Sequence, residues 1–150
     1  MIYLASDHRG FKLKEKIKEW LKEWGYEYED MGALEYDKDD DYPDFAELAA
    51  RRVAAEPDSK GILICGSGIG VAVAANKIKG IIAGTMTNSE QTKASVSDEN
   101  TNIICLTADY SSEDNNKQIA RTFLESEFSG SERHIRRLNK IKKLEEGSSQ

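Results

Sequence analysis

Cysteine and proline are scarce in this chain, two of each in 150 residues. Cys65 and Cys105 stand forty positions apart, outside any paired-cysteine spacing. Neither a zinc site nor a dithiol redox motif is therefore predicted, and a reducing compartment is expected. A basic excess is also lacking. Twenty-seven acidic residues face 21 Lys and Arg, for a net charge of −6 and a pI near 5.1. That balance excludes a surface built to track nucleic-acid phosphates and favours a small-molecule partner. No apolar run approaches the ~20 residues of a membrane span, and no charged leader precedes the first strand, so a cytoplasmic protein is expected. Internal repeats are missing. The biased segments are the acidic stretch 37–41 and the polar tail 147–150, which is expected to be disordered, leaving residues 1–146 as one domain.

What is present is alternation. Short apolar runs at 2–5, 26–30, 61–65, 80–84 and 102–106 read as strands, separated by segments of helical period at 10–24, 43–55, 69–77, 89–97, 112–125 and 133–145. The first helix places Phe11, Ile17, Trp20, Leu21 and Trp24 on one side with Lys and Glu opposite, and both tryptophans are assigned to the core. Pro43 suits the first turn of the second. Strict strand–helix alternation predicts a single-domain, doubly wound, Rossmann-like α/β fold. Its five-stranded parallel sheet would carry helices on both faces and end in a C-terminal helix. Ligands of such sheets bind beyond the carboxyl ends of the strands, so Asp7 and His8, residues 65–70 and residues 85–88 are expected around one crevice.

The segment 61–70, GILICGSGIG, carries the most chemistry. An apolar strand runs into Cys65 and then Gly66, Gly68 and Gly70, which leave the backbone free to turn tightly and converge its N–H groups on an anion. A thiol at such a helix start ionises more readily and can move a proton; a buried cysteine ending a core strand is the competing reading. The glycines do not form a dinucleotide fingerprint, since Val71 stands where the third glycine belongs and the loop follows the third strand. No Walker-type phosphate loop occurs. Asp37, Asp39 and Asp41 mimic the start of a calcium loop, but Tyr42 and Leu48 occupy the Gly and Glu positions, so no metal site is expected and the acidic run reads as a solvated loop. Asp7-His8 fits either a helix cap or a phosphate and proton-handling pair. Arg133 and Arg137, one turn apart, fit either a phosphate monoester or a solvated basic face.

Taken together, SDHRGFKLK (6–14), DYPDFA (41–46), the 61–70 loop running on to AANK (74–77) and GSERHIRR (130–137) resemble the type B ribose-5-phosphate isomerases, a family that includes the galactose-6-phosphate isomerases. The resemblance spans nearly the whole chain. It implies aldose–ketose isomerisation without metal or cofactor, in a homodimer with shared active sites, a tetramer being the alternative. Cys65 would move a proton between C2 and C1 through an enediolate held by the 66–70 amides, Gly66, Gly68, Ile69 and Gly70 among them. Ser67 would bond a substrate oxygen, Asp7 and Tyr42 the sugar hydroxyls, and His8, Arg133 and Arg137 the phosphate, the arginines from the partner subunit.

One segment departs from the family pattern. Asp98 and Glu99 stand where the family has its ring-opening histidine and the asparagine after it, with Asn100 following in the same substrate-binding segment. Asp109 occupies the place of a phosphate-contacting arginine, where a carboxylate would repel the phosphate. The expected activity is the interconversion of ribose 5-phosphate and ribulose 5-phosphate. The alternatives are an isomerase of another sugar or sugar phosphate and a sugar-phosphate binding module without turnover.

Overall fold

The computed structural model describes residues 1–147. In chain order the elements are β1 (Ile2–Ser6), a single 3-10 turn (His8–Gly10), α1 (Phe11–Trp24), β2 (Tyr28–Asp30), α2 (Tyr42–Ala55), β3 (Lys60–Cys65), α3 (Ile69–Ala75), β4 (Ala83–Thr85), α4 (Ser89–Glu99), β5 (Ile103–Thr107), α5 (Glu113–Glu125) and α6 (Glu132–Gly147). The five strands form one parallel sheet in the order β2-β1-β3-β5-β4. Both faces are covered, so the central strands are apolar throughout instead of alternating.

Successive side chains of each strand serve opposite faces. Ile62, Ile64, Ile104 and Leu106 pack with Ile17, Leu21, Val96 and Phe123 of α1, α4 and α5. Tyr3, Ala5, Leu63, Cys65 and Cys105 pack with Ala46, Ala49, Ala50 and Val71 of α2 and α3. Each large side chain fully buried in this way contributes about 1.5–3 kcal/mol. The second helix layer is built largely from alanine, which brings α2 and α3 close to the sheet and sets Cys65 just beneath them.

Element ends differ from the sequence expectation for local reasons. The second strand starts at Tyr28, since α1 closes on Gly25 at φ 81° and the Tyr26 N–H returns to the Leu21 carbonyl at 2.9 Å. β4 starts at Ala83 and α3 stops at Ala75 because the Asn76 side chain holds both the N–H (2.9 Å) and the carbonyl (2.8 Å) of Ala83. α4 runs on to Glu99, where Asn100 ends it at φ 51°. α6 includes Gly147; the rest of the expected disordered tail, 148–150, lies outside the described residues.

Two expectations about α1 are corrected. Trp20 is core, but Trp24 is only half-buried, with the Arg121 guanidinium 5.2 Å from its ring. Lys14, assigned to the solvent face with the other lysines, is fully buried. Its ammonium donates to Asp30 Oδ1 at 2.8 Å and to the Ala33 carbonyl, so charge pairing overrides the pattern. Burial still lowers the pKa of Lys14 below its ordinary value. For Asp30, burial pushes the pKa up, but hydrogen bonds from Lys14, Lys18 and the Gly32 N–H outweigh it, and the carboxyl is held below its ordinary value.

Candidate active site

Cys65 ends β3 at the carboxyl edge of the sheet, only 5% exposed. Its Sγ accepts the Gly68 N–H at 3.2 Å. The loop that follows is moored to its neighbours by side chains. Gly66 O accepts Thr107 Oγ1 at 2.6 Å and the Asp109 N–H at 3.0 Å, while Gly68 O accepts Thr85 Oγ1 at 2.6 Å. Glycine is required at 68, where φ is 74° and a Cβ would stand 3.1 Å from the Leu106 carbonyl. At Gly70 a Cβ would lie 2.6 Å from the Tyr42 ring, so the absence of a side chain is what admits Tyr42 to the loop. Ser67 and Ile69 are exposed on the outer turn, with Ser67 Oγ accepting the Ile69 N–H at 3.1 Å.

The end of β1 supplies the opposite wall. Asp7, 5% exposed, accepts the N–H groups of Arg9 (3.0 Å) and Gly10 (3.2 Å) through Oδ1, so it does cap the 3-10 turn. His8 is held by Asp40, whose Oδ1 lies 2.7 Å from Nδ1 and 3.0 Å from the His8 backbone N. The Arg9 guanidinium lies against Gly66 and pairs with Asp109. The negative charge of Asp109 is thereby met within the chain. Asp7, His8 and Asp40 bring one ligand atom each to within 4.8 Å, the one such group among the described residues, and His8 Nδ1 there is already engaged by Asp40.

The other candidate residues lie at the opposite edge. Asp98, Glu99 and Asn100 close α4 just before β5 begins, alongside the strand ends where Lys60 starts β3. The length of β3 separates them from Cys65, about 16 Å along the strand. Arg133 and Arg137 are exposed on α6, whose His134 packs against this segment. His134 Nε2 lies 3.6 Å from Asp98 Oδ1, and its Nδ1 lies 2.6 Å from Ser129 Oγ. The fold thus assembles Cys65, the 66–70 loop, Asp7, His8 and Tyr42 in one place. Asp98, Glu99, Asn100, Arg133 and Arg137 form a second group at the far edge.

Two residues of the first group, Arg9 and Asp40, were not singled out from the sequence. Asp40 was hidden inside an acidic run that reads as solvated loop, and Arg9 inside the strand-end motif. Both act through partners 32 and 100 positions away, which spacing does not report. Cys105, fully buried in mid-sheet, has its thiol pKa pushed up by burial and secondarily by Cys65. Among the described residues no helix is long and apolar enough to cross a membrane.

Comparison with known proteins places this geometry in context. The family model Ribose/Galactose Isomerase matches residues 2–141. The chain is 41% identical over 140 residues to a probable ribose-5-phosphate isomerase B of Mycoplasma pneumoniae, covering 93% of this chain and 91% of that protein. It is 36% identical over 144 residues to ribose-5-phosphate isomerase B of Mycolicibacterium paratuberculosis, covering 96% and 91%. Among solved structures, it matches ribose-5-phosphate isomerase B from Mycoplasma genitalium with bound ribulose-5-phosphate. That TM-score is 0.93 at 40% identity, over 97% of this chain and 96% of the other. The Clostridium thermocellum ribose-5-phosphate isomerase B matches with a TM-score of 0.92 at 39% identity, over 98% of each chain. The chain belongs to the ribose/galactose isomerase family.

Proposed function

We propose that this family member interconverts ribose 5-phosphate and ribulose 5-phosphate, with Cys65 as the base that carries the proton. The observation that carries the reading is the setting of Cys65. It is a nearly buried sulfur at the end of a central strand, bonded to the Gly68 N–H and followed by a glycine loop whose carbonyls accept hydrogen bonds from Thr85 Oγ1, Thr107 Oγ1 and the Asp109 N–H. The Cys65 thiolate takes the C2 proton of the open-chain aldose. The electron pair moves onto the C1 carbonyl oxygen as the enediolate forms, the proton of the C2 hydroxyl passes to O1, and Cys65 returns its proton to C1 as the C2 oxygen becomes the ketone. Backbone N–H groups of the 66–70 loop stabilise the charge developing on the two oxygens. Asp7, Tyr42 and Ser67 orient the sugar hydroxyls, and His8 binds the phosphate.

The second group completes the site from a neighbouring copy. Two-fold pairing would bring Arg133 and Arg137 of one copy to the phosphate held by His8 of the other, and Asp98, Glu99 and Asn100 to the ring oxygen. Exposed Ile69 and Val73 on α3 and Leu48 on α2 offer apolar area for such pairing. The Arg9–Asp109 pair bears on substrate choice, because it removes the repulsion that a free carboxylate at 109 would exert on a phosphate. The test is an NMR or coupled assay of the purified protein against pentose and hexose phosphates and the free sugars. Ribose 5-phosphate is expected to be the best aldose, and Cys65→Ala to be inactive with an unchanged circular dichroism spectrum. Turnover of a free sugar alone would overturn the phosphate assignment.

A further inference from the structure

We propose that Asp40 is a positioning residue that holds the Nδ1–H and the ring orientation of His8, so that the ring, once protonated on both nitrogens, donates its Nε2–H to the bound anion. An ionised carboxylate only accepts hydrogen bonds. Asp40 Oδ1 meets His8 twice, at 2.7 Å from Nδ1 and 3.0 Å from the backbone N, so Nδ1 carries the proton and donates it. Nε2 is then the ring nitrogen left without a protein partner among the described residues. The Asp40 side chain is 7% exposed and that of His8 is 23% exposed, so the contact is shielded from water at one end and open at the other. Asp40 Oδ2 is buried with no hydrogen-bond partner among the described residues. The charge of Asp40 therefore has His8 as its partner.

The surroundings leave this role to Asp40. Asp7 turns Oδ1 to the Arg9 and Gly10 N–H groups, Arg9 is drawn to Asp109, and Tyr36 meets the imidazole edge-on with ring centroids 6.2 Å apart. The turn that presents Asp40 is shaped by Asp37, whose side chain accepts the Asp39 N–H at 2.9 Å and whose carbonyl accepts the Asp40 N–H at 3.1 Å. Two residues on, Tyr42 packs against Gly70. Asp40 thus fastens the loop that carries Tyr42 to the residue next to Asp7, and ties two walls of the site together. The acidic run reads from sequence as solvated loop; its fourth member is a hydrogen-bonding partner of the site.

The kinetic consequence rests on the isomerase reading, and the test separates the two. The chain has two histidines, so 15N-labelled imidazoles can be assigned with a single His8→Gln control. Wild-type protein, without substrate, is expected to show His8 with Nδ1 protonated, and protonation of its Nε2 as inorganic phosphate is added. Asp40→Asn removes the carboxylate charge that balances the doubly protonated ring, and should weaken the Nε2 response to phosphate. In the assay, Asp40→Asn should raise the Michaelis constant for ribose 5-phosphate about tenfold with kcat within about twofold of wild type. In the His8→Gln background it should have no further effect. An unchanged Nε2 response to phosphate in Asp40→Asn would overturn the proposal, as would an equal effect of the substitution with and without His8. A wild-type protein that turns over no aldose phosphate would overturn the isomerase reading instead, and the phosphate titration of Nε2 would still decide the role of Asp40.

Discussion

The two edges of the sheet hold the two groups of candidate residues in very different states. At the carboxyl edge Cys65 and Asp7 are each 5% exposed, and the carbonyls of Cys65, Gly66 and Gly68 accept hydrogen bonds from Thr85 of β4 and from Thr107, Ala108 and Asp109 at the end of β5. At the amino edge the Asp98 side chain is 49% exposed, its one ion-pair partner is His134 at 3.6 Å, and Arg133 and Arg137 have no ion pair among the described residues. The first group is preorganised by its own chain, which lowers the cost of ordering it around a transition state. The second is left largely solvated by its own chain. A site that needs both groups, about 16 Å apart along one strand, needs two molecules.

The sharpest way to break that contrast is at Cys65. Cys65→Ala is expected to lower kcat by at least about a thousandfold with the thermal midpoint nearly unchanged, whereas Cys105→Ala keeps full activity. Iodoacetamide should label Cys65, with ribulose 5-phosphate protecting, and leave Cys105 unmodified because its raised thiol pKa and full burial withhold the reactive form.

The separation of the two groups predicts complementation. Cys65→Ala and the double variant Arg133→Ala, Arg137→Ala should each be severely impaired alone. After unfolding and co-refolding in equal amounts they should recover about a quarter of wild-type activity, since half of the dimers are mixed and each mixed dimer has one intact site. Absence of recovery would place both groups in one chain's site.

The rigidity of the carboxyl edge can be tested through its support. Asp30→Asn leaves the buried Lys14 ammonium without a counter-charge and should cost about 3 kcal/mol of stability, read as a shift in the denaturant midpoint. The Asp30 carboxyl is held below its ordinary pKa of 3.8, so it binds its proton more tightly in the unfolded chain. Its stabilisation is therefore complete above that value and is lost as pH falls through the folded-state pKa, an acid sensitivity that Asp30→Asn should reduce.

Smaller effects should come from residues that tune charge. Arg9→Ala would leave Asp109 uncompensated beside the glycine loop and raise the Michaelis constant for a phosphorylated sugar by about threefold to tenfold, with little change for an acyclic unphosphorylated analogue. Asp98→Ala should slow ribose 5-phosphate more than ribulose 5-phosphate, if ring opening is its task. Equal losses on both would assign Asp98 to holding His134 and not to the sugar.

Much of the site was legible because it lies in contiguous motifs. The strand–cysteine–glycine run, the Asp7-His8 pair and the basic face of α6 each sit within a few residues, and strand–helix alternation already implied that strand-end residues converge. Lys14 escaped because a lysine at a helical position is most often solvated, and only Asp30 and the Ala33 carbonyl, far along the chain, make burial tolerable. Asp40 and Arg9 escaped for the same reason. Their roles are pairwise contacts, and a pair separated by 32 or 100 residues leaves no periodicity.

Sequence by itself determined the fold class, the order of the elements and which cysteine stands beside a glycine loop as the candidate base, since hydrophobic period, glycine spacing and strand–helix alternation are local or repeated signals that one chain carries in full. Tertiary structure alone decided which candidates meet. The parallel strands carry Cys65, Asp7 and His8 to one edge and Asp98, Glu99 and Asn100 to the other. The reason is directional: a residue after a strand and a residue before one are separated by the strand's length, and only packing in three dimensions determines what lies across that gap.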